Sequence, residues 1–95
     1  MAAFLVATVT ISDLEKFKAY AQTIAGVSEK YGGEAIVKGA VADVLEGDVP
    51  EGERVVVVKF PDEASARGYI ADAKYQEGKQ KRAGAAIVHM RLIVD

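Results

Sequence analysis

The chain has 95 residues, a formal net charge of −2 and no cysteine, with its 12 basic and 14 acidic residues interspersed. A chain of this length forms one small domain, which we expect to span residues 1–95. The lack of cysteine excludes disulfides and thiolate metal sites. The charge balance argues against a nucleic-acid partner, which requires a basic patch against the phosphates. The apolar runs are shorter than the roughly 20 residues that cross a bilayer, so we expect no membrane partner and a cytoplasmic location.

The N-terminal third of the chain is predicted to form a strand followed by a helix. Ala3 to Ile11 is apolar and β-branched with little alternation, which indicates a strand buried on both faces. Ser12 to Glu15 fits the S-x-x-E capping box that begins a helix. Apolar side chains then recur at helical spacing as far as Tyr31, and Gly32-Gly33 supplies the positive-φ stop of this helix.

Two further strands are predicted in the middle of the chain. The first, less regular, extends from Glu34 to Glu46, with a bulge or a close backbone approach expected at Gly39. The turn-rich segment 47–52 connects it to a second strand, Arg54 to Phe60, of sequence RVVVVKF.

The C-terminal third is predicted to form a second helix and a final strand. Asp62 can cap this helix, which is expected to break near Asp72 and to continue as a short piece around Tyr75 to Arg82. The last strand is Ala86 to Val94. The order β-α-β-β-α-β predicts an α+β fold, the ferredoxin-like arrangement with a four-stranded antiparallel sheet whose first and third strands are central.

The four consecutive valines of RVVVVKF leave no polar face on a central strand. Two helices can shield only one face of the sheet, so the other face must meet another apolar surface. The second copy of the same face is the simplest candidate, which predicts a homodimer through the open sheet face. By alternation, one set of side chains points to the helices, namely Leu5, Ala7, Val9, Ile11, Val56, Val58, Phe60, Met90, Leu92 and Val94.

Several short motifs resemble the domain of unknown function 1330 (DUF1330) family, a branch of the dimeric α/β barrel superfamily. They are Tyr20, GGE at 32–34, LEG at 45–47, FP at 60–61, Ala66, Tyr69, Tyr75 and Arg82. The resemblance implies a homodimer in which two sheets close into a barrel, and it implies no settled activity. The chain departs from the family pattern at Lys59, Asp62, Gly68 and the pair Ile70-Ala71, which reduces the polar lining expected near the second helix.

Glu46 and Arg82 are candidate site residues. Glu46 ends the predicted second strand beside a glycine, and a carboxyl buried there would have a raised pKa and could act as a general base. The alternative is a structural carboxylate that accepts turn N–H groups or pairs with Arg82. Arg82 itself either binds an anionic ligand through its bidentate guanidinium or fastens the second helix to Glu46.

Tyr20, Tyr69 and Tyr75 are expected between the helices and the sheet. Such phenols usually pack their rings in the core and bond their hydroxyls to backbone carbonyls. The alternative is a ligand-binding pocket with aromatic walls and a few orienting hydroxyls. His89 is the one histidine of the chain, and histidine is the residue type that most often transfers protons near neutral pH. Alternation places it at the dimer seam near Thr8, as a paired interface residue or a proton shuttle.

These residues leave two functional hypotheses. One is a homodimeric protein that binds a small, mostly apolar ligand in a cleft between sheet and helices. The other is a cofactor-independent enzyme of the isomerase or monooxygenase type, as found among relatives of this fold, with Glu46 or His89 as base, Arg82 as anion clamp and a tyrosine as donor. Neither hypothesis requires a metal or a cofactor. An amino-acid-sensing regulatory domain has the same order of elements and stays open.

Overall fold

The computed structural model describes residues 1–95 and contains four strands and three α-helices. The elements in chain order are β1 Ala3–Ile11, α1 Leu14–Ile24, a 3-10 helix Ser28–Tyr31, β2 Glu34–Ala40, β3 Arg54–Phe60, α2 Glu63–Ala71, α3 Ala73–Lys81 and β4 Ala86–Val94. This order confirms the predicted β-α-β-β-α-β arrangement, with the second helical unit divided in two.

The strands form one sheet in the order β2-β3-β1-β4, so β1 and β3 are central, as predicted. Every neighbouring pair is antiparallel. Leu5 of β1 lies opposite Val58 of β3 and Leu92 of β4. Side chains directly opposite one another share a face of a sheet, so the predicted alternation holds across the three strands.

One face of the sheet is buried under the helices and the other is open. Along β1 the residues of the covered face are buried from Ala3 to Val9, whereas Ile11 and the residues of the other face are only half-buried. The open face carries mainly apolar side chains, with threonines, Lys59, His89 and Arg91 among them. His89 lies there opposite Thr8, where the alternation placed it. Phe60, at the end of β3 on the covered side, is fully buried.

The beginning and the end of α1 differ from the prediction. Asp13, not Ser12, caps the helix, since its carboxylate accepts the backbone N–H of Lys16 at 3.2 Å. The Ser12 hydroxyl instead donates to the carbonyl of Gly84 at 3.5 Å, which ties the end of β1 to the turn before β4. The helix ends at Ile24 because the chain leaves helical geometry at Ala25, at φ −55° and ψ 126°, and Gly26 follows in the left-handed region at φ +77°.

The second strand is shorter than predicted. It ends at Ala40, which pairs with Arg54, the first residue of β3, so no partner strand exists for residues beyond it. Gly39 pairs regularly opposite Val55, and the irregularity lies instead between Ala35 and Val37. Residues 41–50 are exposed and form, with 51–53, a long connection between β2 and β3.

The break at Asp72 confirms the prediction and has a clear physical cause. Asp72 caps α3 by accepting the N–H of Lys74 at 2.8 Å, and its other carboxylate oxygen accepts the hydroxyl of Tyr31 at 2.7 Å. Asp62 caps α2, as predicted, through the N–H of Ser65 at 2.7 Å. No helix is both long and apolar enough to cross a membrane.

Candidate functional site

Three buried tyrosines and one buried arginine form a cluster between the helices and the sheet, which we call the tyrosine–arginine cluster. Its members are Tyr20 of α1, Tyr69 of α2, Tyr75 of α3 and Arg82, which follows α3. The rings of Tyr69 and Tyr75 meet edge to face with centroids 4.8 Å apart. The Arg82 guanidinium carbon lies 4.9 Å from the ring centroid of Tyr20 and 5.8 Å from that of Tyr75.

The interruption between α2 and α3 allows Tyr69 and Tyr75 to approach each other. Residues six apart on one continuous helix would point about 120° apart around its axis. The extended backbone of Asp72, at φ −60° and ψ 138°, resets the direction of the chain. Both rings therefore reach the same core.

Gly78 brings α3 close enough to α1 to join Arg82 to Tyr20. A Cβ atom at this position would lie 2.6 Å from Ile24 Cγ2 and 3.1 Å from Tyr20 Cδ1. Only a residue without a side chain fits such a contact, although glycine lowers helix propensity. Arg82 follows one helical turn later, and its backbone N–H donates to the carbonyl of Gly78 at 3.1 Å.

Arg82 is a buried cation without an acidic partner. The residue is 9% exposed, and no carboxylate lies within ion-pair distance of it. Its Nη1 donates to the hydroxyl of Tyr75 at 3.2 Å. Burial lowers the pKa of Arg82, but the hydrogen bond to Tyr75 and the nearby hydroxyl of Tyr20 outweigh this and leave the pKa above its ordinary value, so the guanidinium stays charged.

Tyr20 and Tyr69 remain neutral hydroxyl donors at physiological pH. Burial raises the pKa of both Tyr20 and Tyr69 above the ordinary value of 10.0, since a phenolate would be poorly solvated there. Tyr75 donates to the thioether sulfur of Met90 at 3.9 Å while it accepts from Arg82. The Tyr75 hydroxyl thus bonds to side chains, not to a backbone carbonyl as expected from the sequence.

The cluster borders two clefts. The α3 cleft, about 620 Å³, lies between α2, α3 and the strands β1 and β4, and Tyr75 and Arg82 line it. The α1 cleft, about 380 Å³, lies between α1 and the covered face of the sheet, and Tyr20 and Tyr69 line it. Both clefts are mostly apolar, and they share Leu5, Val88 and Met90. The four predicted ligand-binding residues thus come together but divide between two clefts.

Glu46 and His89 lie apart from this cluster. Glu46 is exposed in the connection between β2 and β3, so it is neither at the end of a strand nor buried. It forms no ion pair with Arg82, which corrects that structural alternative. His89 is exposed on the open face of the sheet. Neither residue lines the α1 cleft or the α3 cleft, and their catalytic roles stay predictions.

Two features of the site were not anticipated from the sequence. Lys79 and Arg67 line the α3 cleft beside Arg82, although both lie on polar helix faces with ordinary surface spacing. The bond between Tyr31 and Asp72 joins residues 41 positions apart. The one local signal was Gly78, since a glycine inside a helix often marks a close contact. No group of three or more histidine or acidic side chains is arranged to hold a metal ion.

The fold and the buried cluster define the class of protein as a ferredoxin-like α+β domain with a cleft between sheet and helices. The family model for the domain of unknown function DUF1330 matches residues 2–95. The chain therefore belongs to this family, which confirms the resemblance drawn from its motifs. A comparison with curated proteins found no significant match.

Solved structures with the same fold include a protein of unknown function from Rhodopseudomonas palustris, with a TM-score of 0.80 and 21% identity over 97% of this chain and 80% of that one. A dimeric ferredoxin-like protein of unknown function from Jannaschia sp. CCS1 gives a TM-score of 0.75 and 8% identity over 100% of both chains. SnoaB, a cofactor-independent oxygenase from Streptomyces nogalater, gives 0.68 and 10% identity over 99% of this chain and 92% of that one.

Proposed function

We propose that the protein is a homodimer that binds a small, mostly apolar ligand in a cleft between the sheet and the helices. The observation that carries the proposal is the tyrosine–arginine cluster, which borders apolar clefts of about 620 Å³ and about 380 Å³. Ligand sites in proteins are typically concave and apolar, with a few polar groups that orient the ligand. Arg82 and the tyrosine hydroxyls are such groups.

The dimer is proposed to form through the open sheet face. Several apolar side chains of that face are markedly exposed in the single chain, including Ile87 at 64%, Val37 at 48% and Ile93 at 47%. They adjoin the half-buried Val6 and Val57 of the central strands. A contiguous apolar surface of this kind marks an interaction site. The dimeric protein from Jannaschia sp. CCS1 supports a second copy of the chain as the occupant.

Ligand binding is tested by thermal shift against a panel of small metabolites, with hits verified by native mass spectrometry. A ligand that binds only the folded state raises the melting temperature. We expect at least one panel member to do so and to bind one molecule per subunit. Hits should lose affinity in Tyr75→Ala, since Tyr75 lines the α3 cleft and packs beside Tyr69. No stabilising compound in a panel that includes apolar acids, amides and aromatics would overturn the proposal.

The second candidate is a cofactor-independent enzyme, which the likeness of the fold to SnoaB supports. In this hypothesis Glu46 or His89 acts as the base and Arg82 holds an anionic substrate. Oxygen consumption with each ligand found in the screen tests it, followed by the variants Glu46→Gln and His89→Ala. Turnover that one of these variants abolishes would support the enzyme, and turnover unaffected by both would exclude these residues as its base.

A further inference from the structure

We infer that the α3 cleft binds a small monocarboxylate with an apolar body and that Arg82 binds the carboxylate. The inference rests on the proposed function and specifies the chemical class of its ligand. It is drawn from the burial of Arg82, from the charges around the cleft and from the apolar walls below it.

Burial of the Arg82 guanidinium costs free energy of hydration, and no carboxylate of the chain pairs with it to offset this cost. A buried guanidinium is normally paired with a carboxylate, because the loss of hydration is expensive. Here its neighbours are the hydroxyl of Tyr75 at 3.2 Å and the faces of two tyrosine rings. A guanidinium has five N–H donors, and no fully buried side-chain nitrogen lacks a hydrogen-bond partner. The donors not used by Tyr75 are therefore accessible, and Arg82 lines the α3 cleft.

All the charged side chains that line the α3 cleft are basic. Its lining includes Arg67, Lys79 and Arg82 but no aspartate or glutamate. Arg67 pairs with Glu63 at 2.7 Å on the helix surface, whereas Lys79 forms no ion pair. Both are exposed at the mouth of the cleft. A mouth with unpaired positive charge leading to a buried cation attracts anions and repels cations.

The walls of the cleft select for an apolar body. Leu5, Val88, Met90 and Leu92 of the sheet face Ile70 of α2 across the cleft. The volume of about 620 Å³ lies within the range of roughly 300–1,000 Å³ that is typical of small-molecule sites. A single buried guanidinium balances one negative charge, and its planar fork matches the two oxygens of a carboxylate. A phosphate dianion would leave a second charge against apolar walls, so a carboxylate fits better.

The test compares matched pairs of probes that differ only in charge. We would measure the affinities of 3-phenylpropanoate, indole-3-acetate and octanoate by calorimetry, together with those of their primary amides and of inorganic phosphate. The carboxylate of at least one pair should bind at least tenfold more tightly than its amide and more tightly than phosphate. Preference for the amides or for phosphate would overturn the inference. Amides that bind as well as carboxylates would overturn it too, but would leave the proposed function standing.

Variants of Arg82 locate the carboxylate. Arg82→Met should remove the preference for carboxylate over amide, and Arg82→Lys, which keeps the charge but not the fork, should reduce it. Lys74→Met, a matched loss of one positive charge on α3 outside the cleft, should leave the preference unchanged. A preference that survives in Arg82→Met would show that the carboxylate binds elsewhere. If Arg82→Met does not fold, the wild-type pairs and Arg82→Lys still decide the question.

Discussion

Replacement of Arg82 by methionine distinguishes a ligand-binding arginine from a structural one. Methionine has a similar length and no charge, and the surroundings of Arg82 are tyrosine rings and apolar side chains. If Arg82 stabilises the fold, the Arg82→Met variant must unfold more readily than the wild type. If Arg82 is kept for an external anion, the unliganded protein should tolerate the change.

The contacts of Arg82 stabilise its buried position, and the desolvation of its charge opposes it; the free energies of the two can be compared. The charged hydrogen bond to Tyr75 contributes about 1.5–3 kcal/mol, and the two cation–π contacts contribute about 1–2 kcal/mol each. Against these stands a desolvation cost of several kcal/mol for a buried ion. Tyr75 keeps its hydrogen bond to Met90 in the variant. The two sides nearly cancel, so we expect the free energy of unfolding to change by no more than about 1 kcal/mol.

The assay is urea unfolding followed by circular dichroism at one fixed protomer concentration, because a dimer unfolds in a concentration-dependent way. Arg67→Met is the matched control, since Arg67 is exposed on α2 and pairs only with Glu63, and it should cost about 0.5 kcal/mol at most. A loss of more than about 3 kcal/mol in Arg82→Met would mean that desolvation does not offset the hydrogen bond and the cation–π contacts, and it would refute the reasoning.

Three further predictions concern the packing, the pH dependence and the interface. Gly78→Ala should destabilise the protein by about 1–2 kcal/mol in urea unfolding, since overpacking against Ile24 exceeds the gain in helix propensity. Asp72→Asn should lower the melting temperature at neutral pH but have less effect in acid. The hydrogen bond from Tyr31 lowers the pKa of Asp72 below its ordinary value of 3.8. The stability that the Asp72 carboxylate contributes is therefore present above pH 3.8 and is lost as the pH falls through the lowered pKa. Val57→Lys should weaken the dimer at least tenfold, or by about 1.4 kcal/mol, in sedimentation equilibrium.

Each of these predictions has a control of the same chemistry elsewhere in the chain. Gln80→Ala adds an alanine to the exposed side of α3, and a loss of stability equal to that of Gly78→Ala would contradict the packing argument. Asp43→Asn in the exposed connection should not alter the acid dependence, and an effect like that of Asp72→Asn would show that the Tyr31 bond is not responsible. Ala64→Lys on exposed α2 should leave the dimer intact, and dissociation there would contradict the proposed face.

The strands and their faces could be predicted from the sequence because sheet alternation is a local property. The bounds of β1, β3 and β4 agree with the prediction, since each is a mostly apolar, β-branched segment between turn residues. The end of β2 could not be predicted in this way. It depends on where β3 begins, because Ala40 pairs with Arg54, and that register is set by a distant part of the chain.

The members of the candidate site could be predicted in part. Tyr20, Tyr69, Tyr75 and Arg82 do come together, but their division between two clefts depends on how closely α3 packs against α1 at Gly78. The predicted position of Glu46 is wrong because β2 ends at Ala40 and not at Glu46. Glu46 therefore lies in an exposed connection and not at the end of a strand. Burial of a carboxylate depends on its tertiary neighbours, and no local pattern reports them.

The central claim is that a sheet with apolar side chains on both faces is completed by a second copy of the same chain. Sedimentation equilibrium of the unmodified protein tests this claim most directly. We predict a dimer at about 1 μM protomer, which requires an association free energy near −8.2 kcal/mol or stronger. A folded single subunit at concentrations up to about 1 mM, corresponding to −4.1 kcal/mol or weaker, would contradict it.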